Sequence, residues 1–362
     1  MKRSFPNESK ILLALLFFLL LISILGQYSA SGGLWEGQAL RHIMRIFLGI
    51  ALAAYIFFTD FRFWNNYAYL LYAFVLVSLA IANLAGITKL GAQRWIDLYF
   101  FAFQPSEFMK LTIIFALARY YSMLSFIETM EFKSHIFPIF FVLLPALLIF
   151  KQPDLGTAAL IICTGAGIIF LAGFPPKIFA AIIGSCLLLC PLGWFFLHDY
   201  QRNRILTFVD PDRDSLGAGY HILQSKIAVG SGRLWGRGFL QGTQSKLNFL
   251  PEKNTDFIFT TIAEEFGFAG SLTVLFLFIL ICYYFFWVAS IFRNKFTKLL
   301  CYGLGMLLFS HVFVNIAMAI GLLPVVGIPL PFLSYGGSSM ITFMISCGLL
   351  MSSLKQKKSG IV

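Results

Sequence analysis

Long apolar runs recur along the chain with almost no polar relief inside them, and short polar or basic stretches separate one run from the next. Such windows fall near residues 11–27, 40–58, 67–87, 105–119, 136–150, 155–174, 178–197, 268–290, 299–322 and 337–354. Each approaches or exceeds the length that a helix rising about 1.5 Å per residue needs to cross about 30 Å of hydrocarbon. The pattern predicts an all-α, polytopic membrane protein with about ten transmembrane helices, forming one integral-membrane domain over residues 1–362.

One connection is out of scale with the rest. Residues 198–256, between the seventh and eighth runs, form a large loop with apolar stretches of its own, ILTFV and YHILQSKIAV. Loops of that length carry function more often than slack, so an ordered cap with short amphipathic helices is expected. The glycines of GSGRLWGRGFLQG lack G-x-G-x-x-G spacing and follow no strand, and read as flexible turns rather than as a phosphate loop. Beyond the cap, helical sequence from 257 to 290 would extend about 50 Å, well past the hydrocarbon thickness, so the segment must break, with Gly267 and Gly270 as the natural place. LLPVVGIPLPFLSYGGSS, with Pro324, Pro329, Pro331, Gly336 and Gly337, cannot be one helix and predicts an outer loop, with re-entry into the membrane as an alternative.

Composition removes the soluble alternatives. The chain is 59% hydrophobic and 12% charged, against about 25% charged for a water-soluble domain. Its formal charge of +11 is unevenly placed: thirteen Lys or Arg (Lys2, Arg3, Lys10, Arg62, Arg119, Lys133, Lys177, Arg293, Lys295, Lys298, Lys355, Lys357, Lys358) lie at one set of run ends, and five at the other. Basic residues beside a span resist translocation, so both termini are expected in the cytoplasm and the 198–256 loop on the outer face. The positive charge is thereby an orientation signal, and nothing supports nucleic-acid binding. Lys2 and Arg3 before the first run and SASGG after it suit an uncleaved anchor. The six cysteines sit in apolar runs without C-x-x-C spacing, and the five histidines form no spaced cluster, so no tightly held metal is expected.

The remaining polar residues carry the chemistry. Asp256, in FLPEKNTDFIF, stands where the cap meets the next apolar run. As a helix N-cap, it or Thr255 would accept free backbone N–H groups. As a general base at the interface, it would be hemmed in by Phe257, Ile258 and Phe259, with burial raising its pKa and the helix dipole lowering it. Glu107 and Lys110 share a helix face inside an apolar run, where ionised groups are costly unless paired and mark either a structural ion pair or a site. Asp154 of KQPDLGT is an N-cap or a site acid, and Arg94 of GAQRWIDL, in an expected outer loop, is an interfacial residue or a phosphate ligand. Ser334, Ser338 and Ser339 line a polar pocket or cap the last span.

Taken together and in order, GAQRWIDL, FQPSEFMKL, QPDLGTA, the loop from HDYQRNR through DPDRDSLGAGYHILQSKIAVGSG, FLPEKNTDFIF with AEEFG, and LPVVGIPLPFLSYGGSS resemble the SEDS family, closest to its elongation-specific branch. The resemblance covers nearly the whole chain. It implies a ten-span peptidoglycan glycosyltransferase that polymerises lipid II at the outer face of the bacterial cytoplasmic membrane, among membrane lipids, with a class B penicillin-binding protein, a transpeptidase, as partner. It implies that Asp256 is the essential carboxylate, that Glu107 and Lys110 are the family's buried pair, and that Asp154 is its Q-P-D-L-G-T acid. Asn254 stands where the family usually has histidine, so no imidazole is carried over there. Such chemistry needs a base for a sugar hydroxyl, and positive charge for a departing lipid diphosphate. Asp256 fits the first, acting by single displacement with inversion. Arg94, Lys110, Arg202 and Arg204 are candidates for the second, as is a divalent cation, the cofactor being otherwise unknown. Competing readings are a flippase or transporter for a lipid-linked precursor and a non-catalytic scaffold for a transpeptidase.

Overall fold

A computed structural model describes residues 7–89, 92–97, 102–125, 127–197, 199–214, 217–246, 249–250 and 252–358. Its helices are α1 (Asn7–Ala30), α2 (Gln38–Phe58), α3 (Phe61–Asn66), α4 (Ala68–Ala85), α5 (Pro105–Ser122), α6 (Ile136–Lys151), α7 (Leu155–Leu171), α8 (Pro176–Gly193), α9 (Asp199–Val209), α10 (Ala218–Ser231), α11 (Thr243–Lys246), α12 (Ile258–Ser290), α13 (Lys295–Ala319) and α14 (Gly337–Lys358). Six segments are long and apolar enough to cross a membrane: α1, α2, α6 with its preceding turn, α12, α13 and α14. Three shorter apolar helices, α4, α7 and α8, join them. Large side chains such as Phe47, Tyr55, Leu84 and Leu188 point outward, as a lipid-facing surface requires. The chain is thus a helical, multi-pass membrane protein.

The bundle is assembled around α5, which is buried along nearly its whole length and packs on α4, α7 and α13. Helix α14 lies against α2, α12 against α13 and α1, and α6 against α7. Local sequence sets the boundaries. Pro105 opens α5 at a position where its missing N–H costs nothing, and Glu107 in the same turn opposes the positive end of the helix. Asn294 caps α13 through Thr297 N at 3.3 Å, and Asp154 caps α7 through Thr157 N at 3.2 Å.

Two places depart from an all-helical expectation. The stretch expected as a plain outer loop folds into three short strands, β1 (Ile87–Lys89), β2 (Ala92–Asp97) and β3 (Ala102–Phe103), each antiparallel to the next. The strand β2 carries Arg94 and Trp95, so a sheet rather than a loose loop sets their position. The second departure lies inside α12, where Gly267 takes φ +65° and ψ −159°, a conformation reserved for glycine, and interrupts the helix as its length demands.

The glycine-rich run is not the flexible turn expected from sequence, because it docks into that interruption. Arg237 N and Gly238 N donate to the carbonyls of Glu264 and Glu265 at 3.0 Å each, while Phe268 N and Ala269 N donate to Arg233 O and Leu234 O at 2.8 and 3.1 Å. Backbone groups freed by the break are thereby satisfied within the protein. The fit is so close that a Cβ on Gly232 or Gly236 would collide with the carbonyls of Ala263 or Glu265. The cap helices, as expected, are short. Helix α10 is pinned to the bundle by Ser225 Oγ, 2.8 Å from Thr260 Oγ1 and donating to Ala319 O at 2.5 Å.

Candidate functional site

At the end of the bundle where α5, α7, α12 and α14 begin, a cavity of about 330 Å³ opens between the cap and the loop that precedes α14. Arg94, Glu107, Asp154, Arg204, Asp256 and Ser338 all line it, together with Glu252, His311, Tyr335 and Ser339. Residues spread over some 250 positions of sequence thus meet at one polar recess in an otherwise apolar molecule. Lys110 stands one layer behind, bonded to two lining residues. Arg202 stands apart: its guanidinium donates to Trp194 O at 3.1 Å and Phe195 O at 3.0 Å, and lies 3.8 Å from exposed Asp199.

The turn that bears Asp256 is held by its backbone. Gln27 Nε2 of α1 donates to Asn254 O at 2.8 Å, as does Tyr335 N. Ser334 Oγ donates to Thr255 O at 2.5 Å, and Asn315 Nδ2 of α13 donates to Asp256 O at 2.9 Å. Asn254 Nδ2 reaches Gln38 Oε1 of α2. Three separate elements, α1, α13 and the loop before α14, therefore fix the main chain of three consecutive residues, and α2 holds the Asn254 side chain. The N-cap of α12 is Phe257, with no side-chain cap bond, so neither Thr255 nor Asp256 takes the capping role open to it in the sequence. Among the described residues the Asp256 carboxylate accepts no hydrogen bond, and Gly327 approaches it so closely that a Cβ there would lie 3.4 Å from Oδ2. Burial pushes the Asp256 carboxyl up to about 7, helped by the neighbouring negative Glu252 and opposed by the Arg204 guanidinium.

The other three cavity carboxylates are engaged. Glu107 Oε1 accepts from Lys110 Nζ at 2.7 Å, and Lys110 Nζ is also 2.8 Å from His311 Nε2. With His311 Nδ1 facing Pro329 O at 3.5 Å, the ring is placed to donate there and accept from the ammonium. Asp154 divides its oxygens: Oδ1 caps α7 and Oδ2 lies 3.4 Å from Arg94. Arg94 also donates to Gln152 O at 3.2 Å and Pro153 O at 2.6 Å, tying β2 to the turn between α6 and α7. Glu252 accepts from Thr255 Oγ1 at 2.6 Å.

The loop before α14 has few backbone hydrogen bonds of its own, such as Ser334 N to Leu330 O at 3.0 Å, and side chains supply much of what its backbone lacks. Ser23 Oγ donates to Phe332 O at 2.6 Å and sits 2.7 Å from His42 Nε2; Gln27 Nε2 donates to Leu333 O at 2.9 Å; Asn315 Nδ2 donates to Ile328 O at 2.7 Å. His311, which lines the cavity, and Asn315, which holds the Asp256 and Ile328 carbonyls, lie one turn apart on α13 and were not placed at the site from the sequence. The signal was present as two polar side chains at i, i+4 spacing in an apolar helix. Among the described residues no group of three or more His, Cys, Asp or Glu is gathered to hold a metal ion.

The chain is similar to known proteins along nearly its whole length. The peptidoglycan glycosyltransferase MrdB of Escherichia coli K12 is 41% identical over 357 residues, covering 98% of this chain and 94% of the relative. A solved structure describing the coordination of polymerization and crosslinking by a peptidoglycan synthase complex contains a chain with TM-score 0.80 and 28% identity, over 95% of this chain and 97% of that one. The crystal structure of the rod shape determining protein RodA of Thermus thermophilus gives a TM-score of 0.69 at 25% identity, over 94% and 96%. The family described as cell cycle protein, FtsW/RodA/SpoVE, matches residues 9–359, and this chain belongs to it.

Proposed function

We propose that the cavity is the active site of a glycosyl transfer for which Asp256 is the general base. The chain is a peptidoglycan glycosyltransferase, the activity for which its relatives are named. Its substrate is lipid II, which it polymerises into glycan strands during cell elongation. One observation carries the assignment of the base: of the four carboxylates lining the cavity, Glu107, Asp154 and Glu252 are engaged by Lys110, Arg94 and Thr255, whereas Asp256 is fixed by its backbone and its carboxylate accepts no hydrogen bond among the described residues.

The reaction follows from that placement. A hydroxyl oxygen of the acceptor sugar attacks the anomeric carbon of the donor as its proton passes to Asp256. The bond from that carbon to the diphosphate breaks, and its electron pair leaves with the lipid diphosphate. A carboxyl pushed up to about 7 by burial is well matched to this work at neutral pH, being about half ionised and basic enough to take the proton. Among the described residues Glu107 and Asp154 are ion-paired with Lys110 and Arg94 and Glu252 accepts from Thr255, which supports single displacement with inversion over a covalent intermediate on a second carboxylate.

The surrounding organisation is proposed with it. Helices α1, α2, α4, α5, α6, α7, α8, α12, α13 and α14 are ten spans, with both termini in the cytoplasm and the 198–256 cap and cavity facing the periplasm of a bacterial inner membrane. A class B penicillin-binding transpeptidase is the partner. The structure of a complex that coordinates polymerization and crosslinking, to which this chain is similar, supports that choice. The test is purified chain in liposomes with fluorescent lipid II, with and without the transpeptidase. Glycan chains are expected. Exchange between leaflets without chains would make it a transporter, and neither result would leave a scaffold.

A further inference from the structure

Each helix that begins at the cavity brings the positive end of its dipole there, worth roughly half a unit charge. The first turn of α5 is answered by Glu107 and that of α7 by Asp154, and Asp256 stands just before α12. The first turn of α14 has no acid: it reads Gly337, Ser338, Ser339, Met340. Met340 N is the first amide in it to find a helical carbonyl, Gly336 O at 2.9 Å, so the three N–H groups before it lie beyond the reach of the helix's own bonds.

Three further observations point to a ligand. Ser339 lines the cavity and is only 5% exposed, yet its Oγ has no hydrogen-bond partner. Several buried hydroxyls lack a partner, but among the described residues Ser339 is the one of them that lines the cavity, where a bound group would complete it. Arg45 of α2 packs on the same turn: a Cβ on Gly337 would lie 3.3 Å from Arg45 Nε, and the guanidinium sits 4.0 Å over the Tyr335 ring. An arginine at a helix N-terminus repels the dipole rather than matching it, and becomes favourable once an anion lies nearby. Meanwhile, of the four cations expected to receive an anion, Arg94 is paired with Asp154 and Lys110 with Glu107, Arg202 is turned to the carbonyls of Trp194 and Phe195, and Arg204 acts on Asp256.

We propose that the first turn of α14, with the Ser339 hydroxyl and with Arg45 behind it, is the seat of the diphosphate group of the lipid-linked donor. The inference rests on the glycosyl-transfer reading and assigns the end of the cavity that receives the leaving group. Backbone N–H groups and a hydroxyl gather the charge that develops on the departing oxygen, and the dipole and Arg45 hold it after the bond has broken. Asp256 works on the acceptor across the same recess.

The test is direct binding of farnesyl diphosphate, farnesyl monophosphate, farnesol and inorganic pyrophosphate to the full chain in nanodiscs. The parent should prefer farnesyl diphosphate to the monophosphate and to farnesol. Ser339→Ala should weaken the diphosphate about tenfold, as expected for one charge-assisted hydrogen bond, and leave farnesol unchanged. Ser339→Thr, which keeps the hydroxyl, should restore binding, and Arg45→Gln should weaken the diphosphate more than the monophosphate. Equal binding of farnesyl diphosphate by the parent and Ser339→Ala would overturn the seat, as would a parent that does not distinguish diphosphate from farnesol. Inorganic pyrophosphate competing as well as farnesyl diphosphate would reduce it to a site for free anions. If Ser339→Ala is not folded by thermal melt, the Arg45→Gln comparison decides alone. Polymerisation by the parent is measured separately, so a failed seat with active polymerisation leaves the function standing, and the reverse outcome is equally distinguishable.

Discussion

Two turns facing the same cavity handle a carboxylate in opposite ways. In the turn at 254–256 the protein grips the backbone from three elements, and among the described residues the Asp256 carboxylate accepts no hydrogen bond. In the first turn of α5 the side chain itself is gripped: Glu107 is bound by Lys110, and Lys110 by His311 from a helix 201 positions away. The first arrangement keeps a reactive group available at the expense of its comfort. The second neutralises a charge deep in the bundle and joins α5 to α13. Glu107 is buried and Asp256 half-buried, and what holds each in place separates them further.

The sharpest way to break this comparison is to remove each carboxylate's charge. Asp256→Asn should lower polymerisation of lipid II by about 100-fold or more, the usual worth of a general base, while thermal stability stays level or rises. A variant that keeps parental activity would return Asp256 to a structural role. Lys110→Met should do the reverse, destabilising the chain by about 3–5 kcal/mol because Glu107 is left as an unpaired buried charge. The double variant Glu107→Gln/Lys110→Met should recover much of that loss in a thermal melt. If the double variant is as unstable as the single one, the pair is not what stabilises this region.

The pH dependence of the two properties should also diverge. The Asp256 carboxyl titrates near 7 in the folded chain, against 3.8 for an unperturbed aspartate. Between those values the folded chain holds a proton that the unfolded chain has released, so Asp256 favours folding fully below about 4 and loses that contribution as pH rises through about 7. Activity needs the ionised form and should climb over the upper part of the same interval. Opposite slopes of melting temperature and initial rate, both flattened in Asp256→Asn, are the expected result. Parallel slopes would place the titrating group elsewhere.

Much of this was legible in the chain, and the exceptions share a cause. Runs of apolar residues have to become spans, a helix-forming stretch about 50 Å long has to break, and a proline- and glycine-rich segment cannot be one helix; these follow from length and backbone chemistry alone. Glu107, Asp154 and Asp256 stand out because charge in such surroundings needs a reason. What could not be read were pairings between distant segments. The glycine run seated in the break at Gly267, the strand that positions Arg94, and His311 completing the Lys110 pair all depend on a neighbour remote in sequence. The choice between cap and base for Asp256 likewise turned on Phe257 being the N-cap, a matter of one residue in a helix boundary.

The finest division lies between two arginines of α9, two residues apart in sequence. Arg204 lines the cavity and its positive charge holds the Asp256 carboxyl lower than burial and Glu252 alone would set it. Arg202 donates instead to the carbonyls of Trp194 and Phe195, away from the cavity. Arg204→Gln should therefore move the midpoint of the rate profile to higher pH, by a fraction of a unit to about one unit for a single partly screened charge, with a fall in rate at pH 7 that is relieved at pH 8. Arg202→Gln should leave the midpoint in place. If both variants shift it equally, the effect belongs to the net charge of the cap and not to the guanidinium at the cavity, and the distinction between a residue that faces Asp256 and one that braces the helix carrying it would fail where it is most finely drawn.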